Sequence, residues 1–407
     1  MNNQALNTSN NPTTTNIPPS GGGGAIPSGG GGALISGIQQ IGIGVENLYE
    51  AWKYYIDVFG MDIRILEDNK VAELMLPYTG GVPQRRHACI AVNMQGGGGF
   101  EVWQYAERKP KKLDFELNMG DLGVLVCKIK SKDVAKSFEE FSRNPKVNIV
   151  TRLSRNLDGM QTFYVKDPYG NLFQIVHDDY IFKNEGRLTG GAVGATIGVT
   201  DIEKAMTIYR DILGYDTIIS DETGVFPDFD GLPSGNQKFH RRLLTHSKPR
   251  KGAFSELFGP SYIELVQALE RTPRKLYEER FWGDPGFIQV CFDIRNMEEL
   301  GKLCTEKGHP FTVDTTQKFK EGSSFDMGDA AGQFAYIEDP DGTLIEFVEA
   351  HKVPIVKKLG IAINLKKRNP EKALPKFILK ALSVMRVSSR QPVAVNCKLT
   401  ATWKEFK

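Results

Sequence analysis

Apolar and small residues alternate at period two in Ile41-Gly42-Ile43-Gly44-Val45, as in a strand, and directly afterwards Leu48, Trp52, Tyr55 and Phe59 recur at helical spacing until Gly60. Strand-like runs follow around 61–66, 87–93 and 100–105, so this stretch reads β-α-β-β-β. A second unit opens near residue 122 and carries a helix around 133–142. It closes with runs at 162–165 and 172–176 on either side of the turn Asp167-Pro168-Tyr169-Gly170. Modules three and four occupy about 190–270 and 284–350.

The modules repeat. Val45, Ala51, Tyr55, Asp57, Gly60 and Asp62 return 154 residues later as Val199, Ala205, Tyr209, Asp211, Gly214 and Asp216. Gly120-Asp121-x-Gly123 returns as Gly283-Asp284-x-Gly286, and Asp167-Pro168-x-Gly170 as Asp339-Pro340-x-Gly342. The chain is an internal duplication, and each copy splits once more.

Four βαβββ modules in two pairs resemble the vicinal oxygen chelate superfamily, which includes glyoxalase I, extradiol dioxygenases and bleomycin-resistance proteins. The phrases that carry the likeness are IGVTDIEKAMTIYRDILGY at 197–215 and YIEDPDGTLIEFVE at 336–349, with their counterparts IGVENLYEAWKYYIDVFGM and YVKDPYGNLFQIV in the first half. The resemblance implies an α+β fold of paired modules curled into two open barrels. It divides the chain into a disordered tail (1–36), an N-terminal domain (37–180), a C-terminal domain (190–350) and a basic amphipathic tail (351–407). It also implies a cleft where a divalent metal chelates two adjacent oxygens of a substrate.

The family's ligands come from the first and last strands of each module. The matching positions are Gln40, Glu101, Val126 and Gln174 in the first half, and Gly194, Glu264, Gln289 and Glu346 in the second. In Tyr262-Ile263-Glu264-Leu265, Phe287-Ile288-Gln289-Val290 and Leu344-Ile345-Glu346-Phe347 the polar residue points away from its apolar neighbours. If the sheet curls as the family's does, Glu264, Gln289 and Glu346 converge as metal ligands. Two carboxylates in a partly buried cleft repel, and require a cation, a shared proton or a basic partner such as Arg241 or Arg242.

None of the six histidines falls on the eight positions, so the two-His, one-carboxylate iron site of oxygen activation is absent. Carboxylates plus an amide suit Mg²⁺ or Mn²⁺, with Fe, Ni and Zn left open. The expected activity is that of a metal-dependent lyase or isomerase. A carbonyl of a small substrate with vicinal oxygens is polarised, His240 or a displaced glutamate takes the adjacent proton, and Glu346 helps hold the enediolate. The alternatives are a non-catalytic module that sequesters its ligand, as bleomycin-resistance proteins do, or a dioxygenase-like member.

Elsewhere the chain offers less chemistry. Gly97-Gly98-Gly99 reads as a hairpin loop. The aromatic-bearing insertion at 222–238 reads as a lid over a cleft or as a surface loop. Leu374, Phe377, Ile378, Ala381, Leu382 and Met385 fall on one helical face, an apolar stripe for packing on the barrel or on a second subunit.

Charge is uneven. Residues 351–407 hold 14 Lys/Arg against 2 Asp/Glu, leaving 37 and 47 of the totals of 51 and 49 to the rest. Neither a nucleic-acid signature nor an apolar run of bilayer length accompanies the basic tail. The five cysteines are odd in number and widely spaced, against a disulfide framework. These features predict a cytoplasmic protein, monomer or homodimer, whose partner is a small molecule rather than nucleic acid or membrane.

Overall fold

The computed structural model describes residues 32–316, 325–327, 330–356 and 361–389. The glycine-rich start lies outside the described residues as far as 31, but the first strand, Leu34–Gly44, begins inside the stretch read as tail. Each module opens on such a strand followed by a helix: Leu48–Phe59, Val134–Arg143, Ile202–Tyr209 and Met297–Glu306. Asn47, Asp133, Asp201 and Asn296 cap them by accepting backbone N–H groups of the first turn, which satisfies donors the helix leaves free. Gly60 ends the first helix at φ 66°, a left-handed conformation glycine adopts without steric cost. Leu48, Trp52, Tyr55 and Phe59 are fully buried, as their spacing requires.

The pairing of modules departs from the halves seen in the sequence. Leu34–Gly44 of module one runs antiparallel to Gly286–Arg295 of module four, with Gln40 opposite Cys291. Gly123–Ser131 of module two runs antiparallel to Ala192–Gly198 of module three, with Gly194 opposite Lys128. Modules one and four therefore build one curled sheet and modules two and three the other. The expectation that the second half alone forms a barrel is corrected on this point. The α+β class, the four βαβββ modules and the pairing into two barrels stand.

The repeated motifs hold this exchange in place. Tyr55 donates to Asp167 at 2.7 Å and Tyr209 to Asp339 at 2.9 Å, so helices tie module one to two and three to four. Asp121 accepts from Arg271 at 2.6 Å and Asp284 from Arg108 at 2.6 Å, tying two to three and four to one. Aliphatic and aromatic residues of all four modules share one continuous core between the sheets.

The Gly97-Gly98-Gly99 segment does more than turn a hairpin. Gly98 and Ala192 exchange backbone hydrogen bonds at 2.7 and 2.8 Å, and Gly191 N–H donates to Gly96 at 2.7 Å, so this run stitches the two sheets together. Gly97 sits at φ 100°, and a Cβ there would lie 2.7 Å from the Gly191 carbonyl carbon. Gly97→Ala is expected to cost about 1–3 kcal/mol, measured by urea unfolding; an unchanged midpoint would refute the close-approach account.

The basic tail extends the fold differently from the predicted helix. The last strand of module four runs on to Val356 and pairs with Ile361–Asn364. The helix itself covers only Lys376–Ala381 and continues as a 3₁₀ turn, Leu382–Met385. Leu374, Leu379 and Leu382 are buried while Phe377 is 74% exposed. The buried stripe therefore runs through Leu374, Leu379 and Leu382 rather than Phe377, since the helix begins only after the Pro375 cap and Leu374 lies outside it.

Candidate functional site

In the first barrel the polar residues of modules one and four meet. Glu101 comes from the Gly99–Tyr105 strand and Gln40 from the first strand; Gln289 lies on Gly286–Arg295 and Glu346 on Leu344–Val356. The Gln289 amide donates to Glu101 at 3.1 Å and to Glu346 at 3.2 Å, and Gln40 donates to Glu101 at 3.4 Å. Trp282 donates its indole N–H to Gln289 Oε1 at 3.0 Å, which fixes the amide with its nitrogen towards the carboxylates. The buried Gln40 Oε1 has no hydrogen-bond partner. A cavity of about 720 Å³ opens beside the group, lined by Gln40, Glu101, Tyr336 and Glu346 among others.

Electrostatics follow from burial. Glu101 is pushed up to about 8, first by desolvation and next by the charge of Glu346. Glu346 is also raised by burial, although Cys291, Tyr336 and Gln289 hydrogen-bond to it and pull the other way. Arg86, ion-paired with Asp68 on the cavity wall, lowers both but does not neutralise them. Both carboxyls thus resist ionisation, each by burial and Glu101 also through the charge of Glu346.

The second barrel has solved the same problem internally. Glu264 belongs here, not beside Glu346, because its strand Tyr262–Ala268 pairs with the first strand of module three. Lys128 reaches Glu264 at 2.5 Å and also donates to Gln174. Arg241 meets Glu264 at 2.6 Å and Asp228 at 2.7 Å. All five side chains are buried. Burial would raise Glu264, but Arg241 and Lys128 overcome it and bring it down to about 2. Two cations balance two carboxylates, and no charge is left for a metal to compensate.

The 222–238 insertion completes this closure. Phe226 and Phe229 are buried, with the Arg241 guanidinium 4.5 and 3.7 Å from their ring centres. Phe229 and Leu232 join Val126, Tyr164 and Phe239 in a separate apolar cluster. The segment is a plug packed into the barrel, neither lid nor idle surface loop. His240 stands in this barrel too, bonded to Asp221 at 2.6 Å. It is therefore in the other sheet from Glu346, and its partnership as general base with the metal residues is corrected.

Sequence reasoning named all four residues of the first barrel as ligand positions but grouped them by halves. Lys128, two residues beyond Val126 on the same strand, is not among the eight ligand positions. Among the described residues no three His, Cys, Asp or Glu side chains gather as a metal site, so a cation at Glu101 and Glu346 would draw further oxygens from amides. No helix among the described residues is long and apolar enough to cross a membrane.

No curated protein matches the chain. Among solved structures, glyoxalase I from Zea mays is similar at 15% identity over 77% of this chain and 92% of that one, with a TM-score of 0.47. The Mn(II)-bound glyoxalase from Novosphingobium aromaticivorans is similar at 12% identity over 84% and 88%, with a TM-score of 0.25. A mutant 4-hydroxymandelate synthase from Streptomyces coelicolor is similar at 13% identity over 86% and 98%, with a TM-score of 0.29. The model of the Glyoxalase/Bleomycin resistance protein/Dioxygenase superfamily matches residues 37–175 and again 192–347. Matched twice over most of its length, the chain belongs to the glyoxalase/bleomycin resistance protein/dioxygenase superfamily.

Proposed function

We propose that the cavity between modules one and four is the working site, and that it takes a small molecule with vicinal oxygens against a divalent cation held by Glu101, Glu346 and the Gln40 amide oxygen. The observation that carries this reading is the pair of raised carboxyls beside the unpartnered Gln40 Oε1. Buried groups of this kind are costly unless something compensates them. A bound divalent ion would supply Lewis acidity to a substrate carbonyl.

The remaining chemistry belongs to the chain. The Gln289 amide donates to Glu346 at 3.2 Å, whereas Glu101 Oε2 accepts from the two amides of Gln40 and Gln289 and its Oε1 lies outside those bonds. Glu101 Oε1, engaged by neither amide, is therefore the oxygen that takes a proton from a substrate carbon. Isomerase or lyase chemistry follows from such a proton shift, without oxygen activation.

One observation favours a second reading. Trp282 turns the Gln289 nitrogen, not its oxygen, towards the carboxylates, so Gln289 supports a hydrogen-bonded, metal-free cleft that sequesters its ligand. Titration with Mn²⁺, followed by loss of the free-ion paramagnetic resonance signal, separates the two. One ion per chain is expected, with affinity at least about tenfold weaker in Glu346→Gln. No uptake by the unaltered protein would leave sequestration.

A further inference from the structure

The family match stops at residue 347, yet the chain beyond it builds part of the cavity. Leu382 and Met385 line the cavity together with Phe254, Leu257 and Phe258 of module three and Phe334 of module four. We infer that the 374–387 segment is a specificity element that closes the cleft around the apolar body of a drug-sized ligand, whose oxygen-bearing end meets Glu101 and Glu346.

Three observations carry the inference. The segment is built in rather than laid on: Leu374, Leu379 and Leu382 are buried in one cluster with Ile63, Leu257, Phe258 and Ala350. It is also fastened at both ends. Leu374 N–H donates to Ala253 at 2.9 Å and Val387 N–H to Asp62 at 2.8 Å. Arg386 pairs with Asp62 and, at 2.7 Å, with Glu185, and Lys183 donates to Ser383 at 2.7 Å. Finally, the arginines on the cavity wall are already paired, Arg86 with Asp68 and Arg85 with Glu107 at 2.9 Å. A polyanionic substrate would therefore find no open cation in them, while an apolar body finds aromatic and aliphatic walls over a volume of about 720 Å³, within the usual range of ligand sites.

The inference rests on the proposed site only for the orientation of the ligand's polar end. Its test uses neutral N-phenyl-1-naphthylamine, a probe that fluoresces in apolar surroundings and needs no metal. The full chain is expected to bind it, Leu382→Lys and Met385→Lys to weaken it at least about tenfold, and Phe377→Ala, on the exposed side of the same segment, to leave it unchanged. Met385→Leu should restore near-normal binding, which a merely unfolded tail would not allow. Absence of probe binding, or equal binding by the lysine variants with native circular dichroism, overturns the assignment. Mn²⁺ titration of the same samples tests the polar end separately: probe binding without Mn²⁺ uptake refutes the cation reading and leaves the apolar wall standing.

Discussion

Arg241→Met is expected to lower the unfolding free energy by about 3–5 kcal/mol, the usual cost of removing one partner from a buried ion network. Arg241 is fully buried and is shared by Glu264 and Asp228 at 2.6 and 2.7 Å. Methionine fills much of the space between Phe226 and Phe229 but leaves Asp228 without the guanidinium that accompanies it into the barrel. Glu264 keeps Lys128, so Asp228 is the more exposed to loss. The double variant Arg241→Met, Asp228→Asn should recover part of the stability, because the stranded carboxylate is then gone. Urea unfolding of the set measures both effects. A loss under about 1 kcal/mol for the single variant would mean that the plug and its arginine do not hold the second barrel closed.

This network also explains what the sequence could and could not tell. Periodicity and capping residues located the strands and helices because those signals are local: Asn47, Gly60 and the Leu48-Trp52-Tyr55-Phe59 face act within one helix. Which module pairs with which is non-local, and similar strand patterns in all four modules cannot decide it. A clue was nevertheless present. Modules one and four carry Gln40, Glu101, Gln289 and Glu346 at the ligand positions, while modules two and three carry Val126, Gln174, Gly194 and Glu264. Uneven chemistry of this kind fits a pairing of module one with four and of two with three better than two equivalent halves. Lys128 escaped notice for a different reason. It lies opposite Gly194 just as Cys291 lies opposite Gln40, and only the register reveals that its ammonium reaches Glu264. Arg241 was foreseen as a possible basic partner, and that alternative is the one the second barrel uses. The plug residues look like any loop until Phe226 and Phe229 are seen against the guanidinium.

The first barrel, lacking such internal cations, should reveal itself through pH. Between pH 6.5 and 8 the metal-free protein is expected to become less stable as pH rises. Glu101 titrates near 8 when folded and near the ordinary 4.5 when unfolded, so in this window the folded state holds a proton that the unfolded state has released. Raising the pH removes that advantage, with a slope of up to about 1.4 kcal/mol per unit for one proton. Asp293, raised by burial to about 7, adds the same sign up to that pH. His351, depressed to about 4, acts oppositely below about 6.5, and Lys130, lowered by burial to about 8, acts oppositely towards the top of the window, so the fall is clearest at its lower end. Glu264 lies at about 2 and loses its contribution only in acid. Subtracting the profile of Glu101→Gln from that of the unaltered protein isolates the pair, and the difference should become independent of pH below 4.5. Mn²⁺ should reverse the trend, since a cation displaces the shared proton and binds better as pH rises. A metal-free profile flat from 6.5 to 8, unchanged by Glu101→Gln, would mean that Glu101 and Glu346 already share the folded protein as ordinary ionised carboxylates, and that nothing in the cleft awaits compensation.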